Sequence, residues 1–221
     1  MQLMNQQARK IEWLVWAGLG LLVATVMLAF MLAAVKVHAS LGKPLPVYGP
    51  VGEFTLTNQN GRAVSLTGLR GRVWVRDIIF TRCPGQCLKM TLQMKQLQEG
   101  LPASSPARLI SLTTDPDYDT PPILKAYAER FGADPNRWIF LTGSKSQLAN
   151  LAIDSLKLTV IEKRPQDRDS PNDLFVHSTI FVIVDKLGQL RGTFETSGDG
   201  VDFANVKKDI LAAVRRLERE R

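Results

Sequence analysis

Two cysteines stand four residues apart in Thr81-Arg-Cys83-Pro-Gly-Gln-Cys87, and they are the only cysteines in 221 residues. They follow a β-branched run and precede a helical one. That place can set two sulfurs over one helical turn, where amides and the positive end of the dipole favour thiolate over thiol. Two chemistries use such a pair. Thiol–disulfide exchange needs an accessible thiolate and a resolving partner. A soft metal needs thiolate ligands. Three intervening residues depart from the redox C-x-x-C pattern. They leave room for a metal between the sulfurs without forbidding a disulfide. The plain alternative is burial of two small apolar residues. A thiol peroxidase or redox sensor would use the same thiolates, although no feature calls for a peroxide pocket.

The chain has two histidines, His38 and His177. His38 adjoins a long apolar segment and is a poor ligand. His177 opens a strand-like run at 178–184. Two thiolates and one imidazole make a soft, low-coordination set that suits copper as Cu(I) or Cu(II). Zinc would seek a fourth protein ligand or water, and hard cations want oxygen. Met90 and Met94 follow Cys87 by three and seven residues on one helical face, which reads as core packing. Asp115, Asp117 and Asp119 read as helix capping and first-turn charge, with Asp119 as N-cap of the next helix.

The elements that must position these groups follow from pattern. Residues 13–35 carry no charge, and only Gly18, Gly20 and Thr25 among them are not hydrophobic. At ~1.5 Å per residue such a segment spans a ~30 Å hydrocarbon core. A signal h-region of ~7–15 residues would be shorter, so an uncleaved anchor is expected despite the cleavage-like Val37-His38-Ala39. Lys and Arg flank both ends, so charge does not orient the segment. The thiol chemistry places the C-terminal domain outside the cytoplasm. The expected organisation is a tail and transmembrane anchor at 1–38, a Pro/Gly-rich linker at 39–50 and a globular domain at 51–221.

The remaining composition excludes several classes. Lys and Arg outnumber Asp and Glu by 28 to 21, a formal +7. The excess divides between the anchor's flanks and a dispersed remainder, so no concentrated stripe exists for nucleic acid. Two cysteines exclude a disulfide-dense scaffold and a four-thiolate zinc site.

Within the domain, a hairpin is expected around Asn60-Gly61, and a mostly buried strand at 72–80 leads into the cysteines. A helix at 91–99, a strand at 108–113 and a helix at 120–131 follow. A short strand comes at 138–141, then a helix at 144–153 and a further strand at 157–161. Residues 162–173 read as a loop. A hairpin of 178–184 with 189–194 precedes an amphipathic helix at 201–219. This alternation predicts an α/β domain, thioredoxin-like, with a central mixed sheet flanked by helices behind a single transmembrane helix. In that topology the loop before the late strand lies beside the end of the first buried strand. His177 is thereby brought toward the cysteines.

Together these residues resemble the Sco/SenC family of membrane-anchored, thioredoxin-like copper proteins. The matching pieces are Asp77-Ile-Ile-Phe-Thr-Arg-Cys83-Pro-Gly-Gln-Cys87, Asp115-Pro-x-x-Asp119-Thr-Pro121, Leu141-Thr-Gly143, and His177-Ser178 leading into a strand. The resemblance implies copper held by Cys83, Cys87 and His177. It implies a metallochaperone, a binding module rather than an enzyme, that helps assemble the copper centre of a cytochrome c oxidase. The partner would be the oxidase's copper-bearing subunit or another copper protein. The competing role is a thiol–disulfide reductase that keeps that site's cysteines reduced. The setting implied is a bacterial inner membrane, single-pass, with the domain on the periplasmic side. Two positions depart from the family pattern. Leu88 stands where proline often follows the second cysteine, and Val176 where aspartate often precedes the histidine.

Overall fold

The computed structural model describes residues 2–41, 44–83, 85–155, 160–168 and 174–220. The chain forms two units, Met1–Pro44 and Leu45–Arg221. The first contains helix α1 (Gln2–Leu41). Its segment Trp13–Ala33 is long and apolar enough to cross a bilayer, and its side chains are exposed, as expected for an anchor facing lipid.

The second unit is built on a sheet of eight strands among the described residues. They are β1 (Gly49–Pro50), β2 (Thr55–Asn58), β3 (Ala63–Ser65), β4 (Trp74–Ile79), β5 (Arg108–Thr113), β6 (Trp138–Thr142), β9 (Ile180–Val184) and β10 (Gln189–Glu195). Their order is β1-β10-β9-β4-β5-β6-β2-β3. Strand β4 lies parallel to β5 and antiparallel to β9, so the sheet is mixed. Strands β7 (Val160–Glu162) and β8 (Phe175–His177) pair in a separate two-stranded sheet.

Alternation along β4 divides the core. Val75 and Ile79 face a cluster covered by α3 (Gln86–Gly100), α4 (Pro121–Arg130) and α6 (Phe203–Arg219). Trp74 and Ile78 face a second cluster, covered by α2 (Leu66–Leu69) and α5 (Lys145–Ala149). A strand apolar on both faces therefore fits this central place. Arg76 is a local conflict. It is 1% exposed and its guanidinium has no hydrogen-bond partner among the described residues, and burial pulls its pKa down to about 9.

Several expectations shift in detail. Helix α3 begins at Gln86, so Cys87 is helical rather than ahead of the helix. The end of the expected linker forms β1, and Arg191 fixes the preceding backbone through the carbonyls of Leu45 and Pro46. Helix α5 ends at Ala149 after a Ser144–Gln147 capping box, and a π-helical turn, Asn150–Ser155, follows. His177 ends β8 instead of opening the following strand β9.

Candidate metal and thiol centre

The cysteines lie where β4 stops. Its last residue is Ile79, and the N–H of Cys83 donates to the carbonyl of Phe80 at 3.2 Å, turning the chain. The sulfurs then occupy the N-terminal end of α3. The N–H of Cys87 donates to Sγ of Cys83 at 3.3 Å, and the N–H of Phe80 donates to Sγ of Cys87 at 3.4 Å. Each sulfur thus accepts a backbone amide, the helix-end contact expected for Cys83 from its spacing. Both residues are thiols in this structure.

Their environments differ. Cys83 is half-buried, whereas Cys87 is 1% exposed and packs with Met90 and Met94. Burial, and after it the hydrogen bond and charge of Cys83, push the Cys87 thiol far above its ordinary range. Burial at Cys87 thus opposes the thiolate that the helix end favours. A cation bound between the sulfurs would reverse that cost, because a coordinating thiol loses its proton. Met90 and Met94 are fully buried, in keeping with core packing.

A second loop holds the cysteine loop in place. The carboxylate of Asp119, 0% exposed, accepts the Thr81 N–H at 3.1 Å, the Thr113 hydroxyl at 2.5 Å and the Thr81 hydroxyl. Asp119 is therefore not the expected N-cap. Thr120 occupies that position, without a side-chain cap. Burial raises the Asp119 pKa even though all three hydrogen bonds act to lower it. Arg82 donates to Asp115 at 2.6 and 3.1 Å and lies 4.2 Å above the Tyr118 ring. Asp117 pairs instead with Lys145 at 2.6 Å. The cluster read as capping is a clamp, and only the pairing of Asp115 and Asp119 with Thr81 and Arg82 reveals it. A threonine and an arginine directly before Cys83 were the available signal.

His177 lies on a different element. Its backbone pairs with Val160 across β7–β8, and its side chain lies outside the described residues. Two residues earlier, the Phe175 ring meets Phe80 edge-on at 5.2 Å. This pair joins the histidine-bearing strand to the end of β4. A cavity of about 180 Å³ lies beside it, lined by Leu112, Thr113, Leu148, Ala152, Glu162 and Phe175 among others. Among the described residues, no three His, Cys, Asp or Glu side chains gather to hold a metal. The two thiols supply two soft donors.

The mixed sheet, with helices on both faces and a dithiol at the end of its central strand, defines a thioredoxin-like protein. The chain belongs to the SCO1/SenC family, whose sequence pattern matches residues 47–212. It is 37% identical over 170 residues to the SCO1 protein homolog of Bacillus subtilis, spanning 76% of this chain and 84% of that one. Among solved structures it is similar to BsSco, described as a member of the Sco family of cytochrome c oxidase assembly proteins that carries a disulfide switch. The TM-score is 0.64 at 32% identity, over 78% of this chain and 98% of that one. Yeast Sco1 with copper bound shares the fold, with a TM-score of 0.59 at 23% identity over 77% of this chain and 90% of that one.

Proposed function

We propose that this chain binds copper as cargo through Cys83, Cys87 and His177 and delivers it during assembly of the copper centre of a cytochrome c oxidase. The observation that carries the reading is the 3.3 Å contact between the Cys87 N–H and Sγ of Cys83, which sets the Cys83 sulfur against the first turn of α3 beside Cys87. Two sulfur donors fit copper better than hard cations, and an imidazole completes a soft set. The family, one of whose members is known with copper, supports the same choice. An N-terminal apolar helix would hold the domain in the bacterial inner membrane, with residues 51–221 on the periplasmic side, 39–50 as linker and 1–38 as tail and anchor. No nucleic acid takes part in this scheme.

Anaerobic titration of the reduced chain with Cu(I) tests the ligand set. One tight copper per chain is expected, lost in Cys83→Ser and in Cys87→Ser and weakened in His177→Ala. Tight stoichiometric binding by the double cysteine variant would falsify the assignment.

A specific asymmetry also favours a second role, reduction of disulfides at the receiving copper site. Cys83 is half-exposed, and Cys87 is buried directly against it, the arrangement of an attacking thiol and a resolving one. The partner disulfide would gain two electrons and two protons as Cys83 and Cys87 become a disulfide. Under this reading His177→Ala retains oxidase assembly while Cys83→Ser loses it. Under copper delivery Cys83→Ser loses it and His177→Ala impairs it.

A further inference from the structure

Helices α3 and α4 each follow one of the parallel strands β4 and β5, and both pack against the same core cluster. They therefore run side by side with their N-terminal ends toward the cysteine loop. The Thr91 hydroxyl and the Tyr127 hydroxyl fix the pair at 2.9 Å. Leu88 stands one turn before Thr91, and Ile123 one turn before Tyr127. Both are exposed, at 41% and 36%, as are Leu92 at 46% and Tyr118 at 43%. Tyr118 lies beneath the guanidinium of Arg82, the neighbour of Cys83. Four large exposed apolar side chains thus lie on the elements that follow the half-exposed thiol or clamp its loop, and none belongs to the core clusters. Large apolar side chains left exposed on neighbouring elements mark an interaction surface. Along α3 its charge is positive, with Lys89 and Lys95 and no carboxylate before Glu99, while Asp117 beside Tyr118 is paired with Lys145.

We infer that this shoulder, Leu88, Leu92, Tyr118 and Ile123 with Lys89, is the docking face for the copper-receiving protein, whose matching surface has an apolar centre and an acidic rim. The inference rests on the copper reading above and adds the route by which the metal leaves. Basic and apolar groups together also suit an anionic bilayer. A bilayer would seal Cys83 under hydrocarbon, however, where a thiolate–metal group loses its solvation and cannot exchange. A protein face that brings its own ligands to the thiol meets neither obstacle.

The test uses the full chain, copper-loaded in phosphatidylcholine nanodiscs, and the copper-free copper domain of a cytochrome c oxidase subunit as probe. A photo-crosslinking residue replaces Leu92. The expected result is crosslinking to the probe. In unlabelled protein, Leu92→Glu combined with Ile123→Glu should slow copper transfer about tenfold or more, with copper affinity and helicity unchanged. Lys89→Glu should slow transfer less and flatten its salt dependence. Transfer by the double variant within about twofold of wild type overturns the inference. So does crosslinking to lipid or to a second copy of the chain. Normal copper binding without any transfer to the probe overturns the inference alone. Absence of copper binding by wild type overturns the reading beneath it as well.

Discussion

The cysteine loop and the histidine-bearing hairpin would serve one metal, yet they are built differently. Residues 81–83 are fixed through a buried carboxylate, a paired and stacked arginine and the first amides of α3. The β7–β8 hairpin makes its own ladder of three residue pairs, outside the main sheet. It is joined to β4 through the Phe175–Phe80 contact and stands beside a cavity. The sulfurs therefore share the stability of the core, because disturbing them means breaking buried hydrogen bonds. The imidazole is carried by an element outside the main sheet, which meets the core only at its edge through Leu174 and Phe175. On the copper reading proposed above, the first region would set whether copper binds, and the second would adjust how tightly.

The sharpest way to break this contrast is to remove the clamp. Asp119→Ala leaves the Thr81 N–H, the half-buried Thr81 hydroxyl and the buried Thr113 hydroxyl without their acceptor, and should cost about 2–4 kcal/mol in chemical denaturation. Loss of under about 0.5 kcal/mol would show that the loop holds itself. The same carboxyl makes a pH prediction. Burial raises its folded pKa, whereas the unfolded carboxyl titrates near ~4. Its contribution to stability is complete below about pH 4 and is lost as pH rises through the folded value. The stability of Asp119→Asn relative to wild type should therefore increase as pH rises from about 4 toward neutrality, measured by urea denaturation across pH.

On the other side of the comparison, His177→Ala should lower copper affinity by about tenfold or more, roughly 1.4 kcal/mol, without shifting the melting temperature of the copper-free chain. A large drop in that temperature would mean that the hairpin belongs to the core after all. Phe175→Ala removes the edge-on aromatic contact and should cost about 0.5–1.5 kcal/mol in stability. It should weaken copper binding as well, because the strand carrying His177 loses its tie to β4. Arg82→Ala should have the smallest effect on stability, about 0.5–1 kcal/mol. The guanidinium is 33% exposed, so solvent screens its pair with Asp115. A cost above about 2 kcal/mol would place Arg82 in the clamp on equal terms with Asp119.

Much of the scaffold was legible in the sequence because its signals are local. The unbroken apolar run of 72–80 announced a central strand, and β4 is buried at every position. Phe203, Val206, Ile210 and Val214 recur at helical spacing and all pack on the core along α6. The hairpin followed from the turn at Lys186-Leu187-Gly188, where Gly188 takes φ +79°, while a bulge between Leu190 and Gly192 shifts its register. Asp119 was misread because a carboxylate just before a helix is usually a cap, and its true partners lie 38 residues away at Thr81. Residues 175–177 were misplaced for a similar reason. A three-residue strand has too little period to separate it from the strand that follows.

By itself the sequence determined the dithiol, its position between a buried strand and a helix, the apolar anchor segment and the likeness to Sco/SenC proteins. Those features are set by residue type and short-range spacing, which local sterics and hydrophobic periodicity translate directly into structure. Only the tertiary structure decided that the two thiols are unequal, that Asp115 and Asp119 hold the cysteine loop, and that Thr91 and Tyr127 join α3 to α4. Burial and long-range pairing are properties of the packed chain. They depend on which distant residues fold over a group, and no local pattern encodes that.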